Sequence, residues 1–469
     1  MFSPAFPNSM SLSGAHQRFR FVFIVFALWI IPIHHAQSML RDPIVLHHAD
    51  VLSGSESTIG PIRQLRGNVS LSQGNVSVSC DYALWNMRGN SVEMSGNVIV
   101  KQGTMTLSMP FGSYDGSSQL ARGRGGVKVI DRGRTVQALF GDYSTESSLA
   151  KFYGNVSVED DSTLIYADSA HYDRETRKSL AFGRVIVLGK KNPAIIEGAL
   201  AESIPAEGLT RITGRPMLFL IDSSFVKDTN TISVQQNNNG SKKSPSGKMR
   251  DSMVIQQKKV YDTMTVIADT LETSPSAGNA FIARKNIEIN RASMSAICDM
   301  AQFKPENDTL RLEGHPMIWV DSTMMNADTI SLIMKKRSLQ RIDAIGSAFT
   351  LTKDDTLRPN RAQQLSGRLI SVILSNETIS SIIASSQAKS LYFLLSEQGK
   401  PEGAATNTCD TIVVRFEQGE PESIVWIGGV LGKVHPEHEV EGREQTYDLP
   451  GRPEEKNRPK KRKRQFTFR

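Results

Sequence analysis

Gly67-Asn68-Val69-Ser70-Leu71, Gly96-Asn97-Val98-Ile99-Val100, Gly125-Gly126-Val127-Lys128-Val129, Gly154-Asn155-Val156-Ser157-Val158 and Gly183-Arg184-Val185-Ile186-Val187 are one pentapeptide met five times, its glycine returning every 29 residues. Neighbouring side chains of a strand point to opposite sides, so apolar residues two apart share a face. The ten positions Val69, Leu71, Val98, Val100, Val127, Val129, Val156, Val158, Val185 and Val187 therefore define an inward face, with Ile99 and Ile186 between them facing outward. A second landmark follows at +16 and +18, a small residue and then usually an aromatic: Ala83/Trp85, Gly112/Tyr114, Gly141/Tyr143, Ala170/Tyr172 and finally Ala199/Ala201. Gly, Asn, Asp and Ser lie between the landmarks and no helical stripe does, so each repeat reads as two or three short strands joined by turns. A unit this small cannot bury its own apolar face and must stack on its neighbours into an elongated, solenoid-like all-β body.

The flanking chain has its own character. Arg18 and Arg20 precede an apolar run from Phe21 to Ile33, 13 residues long. A bilayer-spanning helix needs about 20, so the run fits the core of an export signal, with an uncleaved N-terminal anchor as the other reading. The formal charge of +7 is fully accounted for by Arg452 to Arg469, which hold nine Lys/Arg and two Glu. The body is thus neutral, and the basic run Pro459 to Arg464 is a tail feature that does not make the fold a nucleic-acid binder. Cys80, Cys298 and Cys409 are an odd number, far apart, and each precedes an Asp; Ala fills the same slot in Ala167-Asp168, Ala268-Asp269 and Ala327-Asp328. Such cysteines read as small buried residues.

Beyond Val187 the vocabulary persists: Gly214-Arg215-Pro216-Met217-Leu218-Phe219 is echoed by Gly314-His315-Pro316-Met317-Ile318-Trp319. The second half is thus a diverged copy of the first. Between them the stretch Lys227 to Lys259 has too few apolar residues to pack. The expected layout is an export signal or anchor over 1–36, a first β module over 40–226, a polar linker or insertion over 227–262, a diverged second module over 263–432 and a disordered basic tail over 433–469.

The string Ala167-Asp168-Ser169-Ala170-His171-Tyr172, leading to Gly183-Arg184-Val185, resembles the OstA-like (organic-solvent-tolerance) domain. That domain is shared by periplasmic lipopolysaccharide-transport proteins and the N-terminal part of an outer-membrane translocon. The resemblance implies a repeated β-jellyroll of stacked strands in two modules, with lipid acyl chains held in an apolar groove. It implies lipopolysaccharide or a related glycolipid as ligand, end-to-end strand pairing with other envelope transport proteins or with itself, and a periplasmic location at the inner or outer membrane. The ten inward residues above become the groove candidates. The alternative is a structural β-solenoid of the envelope that binds protein or glycan partners, its interior a closed core.

An enzyme is not expected. Asp81, Asp168, Asp269, Asp299, Asp328 and Asp410 recur at one place in successive repeats, as a turn would require, whereas catalysis needs a single constellation. His435-Pro436-Glu437-His438 offers two potential metal ligands but sits in the expected tail and matches no standard spacing. No cofactor motif, phosphate loop or dinucleotide fingerprint is present.

Overall fold

A computed structural model describes residues 43–57, 60–161, 163–190, 194–222, 262–274, 280–291, 294–335, 338–353, 358, 360–375, 378–417 and 420–460. The apolar run, the central polar stretch 223–261 and the tail from 461 onward lie outside the described residues. The rest belongs to one compact unit, Asp42–Arg469, in which 28 strands form one antiparallel sheet.

Each 29-residue repeat contributes two strands, as in Ser91–Gln102 and Met105–Asp115, joined by tight turns. Consecutive strands pair with one another, and nearly every pairing shifts register at the same level, for example between Ser79 and Tyr82 and between Ser95 and Val98. Such bulges bend a strand. Every long strand is therefore folded into a valine arm, carrying Val69/Leu71 or Val98/Val100, and an aromatic arm, carrying Ala83/Trp85 or Gly112/Tyr114. The inner faces of both arms pack into one core: Val98, Val100 and Leu107 from the first meet Ala83, Met94, Tyr114 and Phe152 from the second.

The repeat glycines sit in those bulges. Gly96 has φ 75° and the next residue, Asn97, φ 43°; only glycine, and less readily Asn or Asp, enters this left-handed region at low cost. A carboxylate from the adjacent strand completes the corner, Asp81 accepting from Asn97 Nδ2 at 2.8 Å, Asp50 from Asn68 at 3.0 Å and Asp269 from Asn286 at 2.7 Å. A Cβ on Gly96 would lie 2.5 Å from Asp81 Oδ2. The recurring aspartates are structural, as the sequence implied, but they brace a neighbouring strand's bulge rather than a local turn.

In the later part of the sheet the two arms become separate strands. Leu209–Thr213 and Met217–Asp222 both pair with Ala194–Ile204, split apart at Gly214-Arg215-Pro216. Thr309–Glu313 and Met317–Val320 do the same against Met294–Lys304, so the echoed motifs occupy equivalent places. Pairing of Met217–Asp222 with Asp262–Ile267 carries the sheet across the central polar stretch. The main apolar interior changes from one cluster to the next near Ala167–Ala170, well before that stretch.

The expectation of disorder from residue 433 is corrected as far as residue 460. Leu431–Pro436 is a strand paired with Pro401–Glu417, followed by a helical turn Glu437–Val440 and a 3-10 turn Glu444–Tyr447. This strap crosses the outer face of the sheet, where Val440 and Leu449 join Trp319, Phe349, Leu351, Leu391 and Phe393. Their neighbours Ile318, Val320 and Ala348 face the inner core, so this part of the sheet is apolar on both sides. His435, expected to be solvated, is 8% exposed and lies against the Tyr447 ring at 4.6 Å. The physical reason for the difference is ionic. Arg361, its side chain 6% exposed, bonds Glu437 at 2.7 Å and Glu444 at 3.0 Å.

Candidate functional site

The inner faces of the two arms are the candidate site. Val69, Leu71, Val98, Val100, Val127, Val129, Val156 and Val185 are all buried, while Val158 and Val187 are half-buried against the same clusters. Alternation along each valine arm continues the inward row to Gln73, Gln102 and Asp131, also buried. Ile99, expected outward, is half-buried; Ile186, on the outer face, is 8% exposed beside the buried Glu197.

The far ends of the arms are stitched together. Tyr114 donates its hydroxyl proton to Gln73 Oε1, and Tyr143 donates to Gln102 Oε1 at 2.7 Å. Each rung joins residues 41 apart in sequence. By the same count Tyr172 would meet Asp131, but here Arg174 takes over. Its guanidinium donates to the Gln102 backbone carbonyl at 2.9 Å and lies 3.6 Å from Asp131 Oδ2, while Thr104 donates to Asp131 Oδ1 at 2.6 Å. The Asp131 Oδ2 and Arg174 Nε atoms are buried with no hydrogen-bond partner. These contacts tie the far ends of the two arms together along this seam.

Beside the irregular third rung the packing leaves a small recess, partly open to solvent and lined by Leu107, Val127, Val129, Val136 and Phe152, with Asp131 and Arg174 among its lining residues. A second small recess lies near the other end of the sheet, against Leu365, Ile382, Ile412, Val414 and Phe416. Between the two, Ile287, Ile289, Leu312, Ile330, Ile342 and Ile370 are excluded from solvent. The Tyr–Gln rungs were not found from the sequence, though Gln73 and Gln102 at +6 of their repeats were the visible signal.

The chemistry of these surfaces is apolar containment. Among the described residues no group of three or more His, Cys, Asp or Glu is placed to hold a metal ion. The three cysteines are free and buried, and burial pushes the thiols of Cys80 and Cys298 up to about 11 and about 12. No helix of the described residues is long and apolar enough to cross a membrane.

No curated protein matches the sequence. Among solved structures, one similar chain is LptH, the LptA-homologous periplasmic component of the conserved lipopolysaccharide transport device from Pseudomonas aeruginosa. It is 14% identical, with 30% of this chain and 95% of that one covered at a TM-score of 0.25. The OstA-like protein family matches residues 41–191, which contain all five repeat glycines. The repeat region of this chain, residues 41–191, is thus similar to the OstA-like family.

Proposed function

We propose that the protein is a non-catalytic, exported scaffold that carries or bridges lipopolysaccharide, or a related glycolipid, towards the outer membrane. Acyl chains would lie between the valine and aromatic arms. The observation that carries this reading is the row of inward Val and Leu residues, with an apolar recess beside Val127 and Val129 at the irregular third rung of the seam. Shelter of that kind is worth about 0.8 kcal/mol per CH₂, so a chain of a dozen carbons would otherwise cost about 9 kcal/mol to expose. The first strands, with Val45, Val51 and Leu52 exposed, and the last, with Ile427, Leu431 and Val434 exposed, leave apolar sheet ends. Open strand edges recruit other strands, which suits end-to-end pairing with other envelope transport proteins or with a second copy.

A second reading has its own support: the Tyr–Gln rungs and the solvent-free stretch between the recesses suit a structural β-solenoid with a closed core. Photocrosslinking in live cells separates the two. A photoreactive residue at Val98, Val156 or Val187 should trap glycolipid, while Lys101 and Gln137, exposed on the outer face, should not. Adducts only within the protein's own chain from all three inward positions would discard lipid carriage in favour of the closed core.

A further inference from the structure

The carboxylate that braces the corner is missing from two successive repeats. Opposite Gly125 and Gly154, where Asp81 or Asp168 would stand in other repeats, are Pro110 and Leu139. The residues next to them on the outer face are aromatic. Cross-strand pairing sets Phe111 beside Arg124, Arg124 beside Phe140, and Phe140 beside Tyr153. Phe111, Leu139, Phe140 and Tyr153 are 47%, 45%, 52% and 39% exposed, and the Arg124 guanidinium lies 5.8 Å from the Phe111 ring centre. Both arms fold inward from this corner, so its outside is convex and the four side chains form a ridge. A ridge is the wrong shape for a small-molecule pocket, which is concave.

Its surroundings are basic. Lys101, Arg122, Arg124, Lys128 and Lys151 share the outer face of these strands with Glu93, Asp142 and Glu159, and Glu159 is already paired with Lys190. Among the described residues no carboxylate lies within ion-pairing distance of Arg124 or Lys128. Aromatic rings flanked by free cations match the headgroup layer of an anionic bilayer, where rings settle at the interface and Lys/Arg are drawn to the surface charge.

We propose that the Phe111–Arg124–Phe140–Tyr153 ridge is a docking surface for an anionic lipid bilayer, which it meets peripherally with the aromatic rings at headgroup depth. This surface is on the opposite side of the sheet from the interior and does not depend on what the interior holds.

The test uses the full chain with Phe140→Cys carrying an environment-sensitive nitrobenzoxadiazole label. The native thiols are buried, so the new one is labelled selectively at neutral pH. Vesicles containing phosphatidylglycerol should shift the label's emission to the blue and raise its intensity. Pure phosphatidylcholine vesicles should leave it unchanged, as should the same label at Glu175→Cys in a distant exposed turn. Each cation near an anionic surface is worth about fivefold in partitioning, so Arg124→Glu with Lys128→Glu should weaken the response at least about 25-fold. The proposal fails if the chain sediments with anionic vesicles while the label at 140 still reports water, since another segment would then be the anchor. It also fails if no binding occurs, if the charge reversals change nothing, or if a photoreactive residue at 140 traps a discrete protein in cells rather than lipid.

Discussion

At Gly96 two demands coincide that no other residue meets. The backbone has φ 75°, and the space a Cβ would occupy is filled by the Asp81 carboxylate. Gly133 has φ 80° but nothing within 4 Å of its would-be Cβ. Gly133→Ala should therefore cost about 1 kcal/mol, the left-handed term alone, and Gly96→Ala about 2–3 kcal/mol, the added part coming from the displaced carboxylate. Denaturant unfolding of both variants checks this; equal losses would mean the carboxylate contributes nothing to the corner. Asp81→Ala should also remove most of the excess at Gly96, because the two sites share one contact. The sequence showed the glycine and the aspartate as separate periodic marks. It did not show that they meet, since the partners lie 15 residues apart on adjacent strands and only the register of the bulge brings them together.

The strap is the element that sequence reading lost. From Glu437 to Arg458 its buried apolar anchors, Val440 and Leu449, are single residues among charged ones, too sparse for any periodicity. It is held instead by charges: from far along the chain, Arg361 to Glu437 and Glu444 and Lys353 to Glu455, and within the strap, Arg452 to Asp448. Burial pushes the Glu444 carboxyl up, but backbone N–H donors and Arg361 outweigh it and hold the group below its usual value. Burial likewise raises Glu455, and Lys353 and Arg452 more than offset it. A carboxylate with a depressed folded value stabilises the fold above the unfolded value, about 4.3 for Glu, and that stability is lost as pH falls through the folded value. The strap should therefore loosen below about pH 4. Trp319 lies in the cluster under it, so its emission, isolated by Trp29→Phe, Trp85→Phe and Trp426→Phe, should move to the red on acidification. Arg361→Gln leaves two carboxylates facing an apolar surface and should cost about 2–3 kcal/mol, with the red-shifted emission already present at pH 7. Emission unchanged in both cases would show that packing alone holds the strap.

For the whole molecule, the single bent sheet was legible in the sequence because 29 residues return the chain to the same corner with the same face inward. The ties between the far ends of the arms were not legible, because they depend on how sharply the arms bend at the bulges, and no periodicity records an angle. The rungs Tyr114–Gln73 and Tyr143–Gln102 decide whether the interior is reached through this seam or only from its ends. Replacing both tyrosines with Phe keeps the rings in the core and removes only the hydroxyls. Losing a buried hydrogen bond costs about 1–3 kcal/mol when its partner stays unpaired. Gln102 retains Arg174 as a donor to its side chain at 3.2 Å, so the double variant should lose about 2–3 kcal/mol in urea unfolding, less than twice the upper figure. The kinetic consequence separates the two functional readings. If acyl chains pass through the seam, the double variant should take up a fluorescent acyl-chain probe faster than the parent, because the barrier to parting the arms has fallen while the apolar walls are unchanged. If the interior is a closed core, the variant should be less stable with no gain in probe uptake, and loss of stability without access would assign the rungs to holding the sheet together.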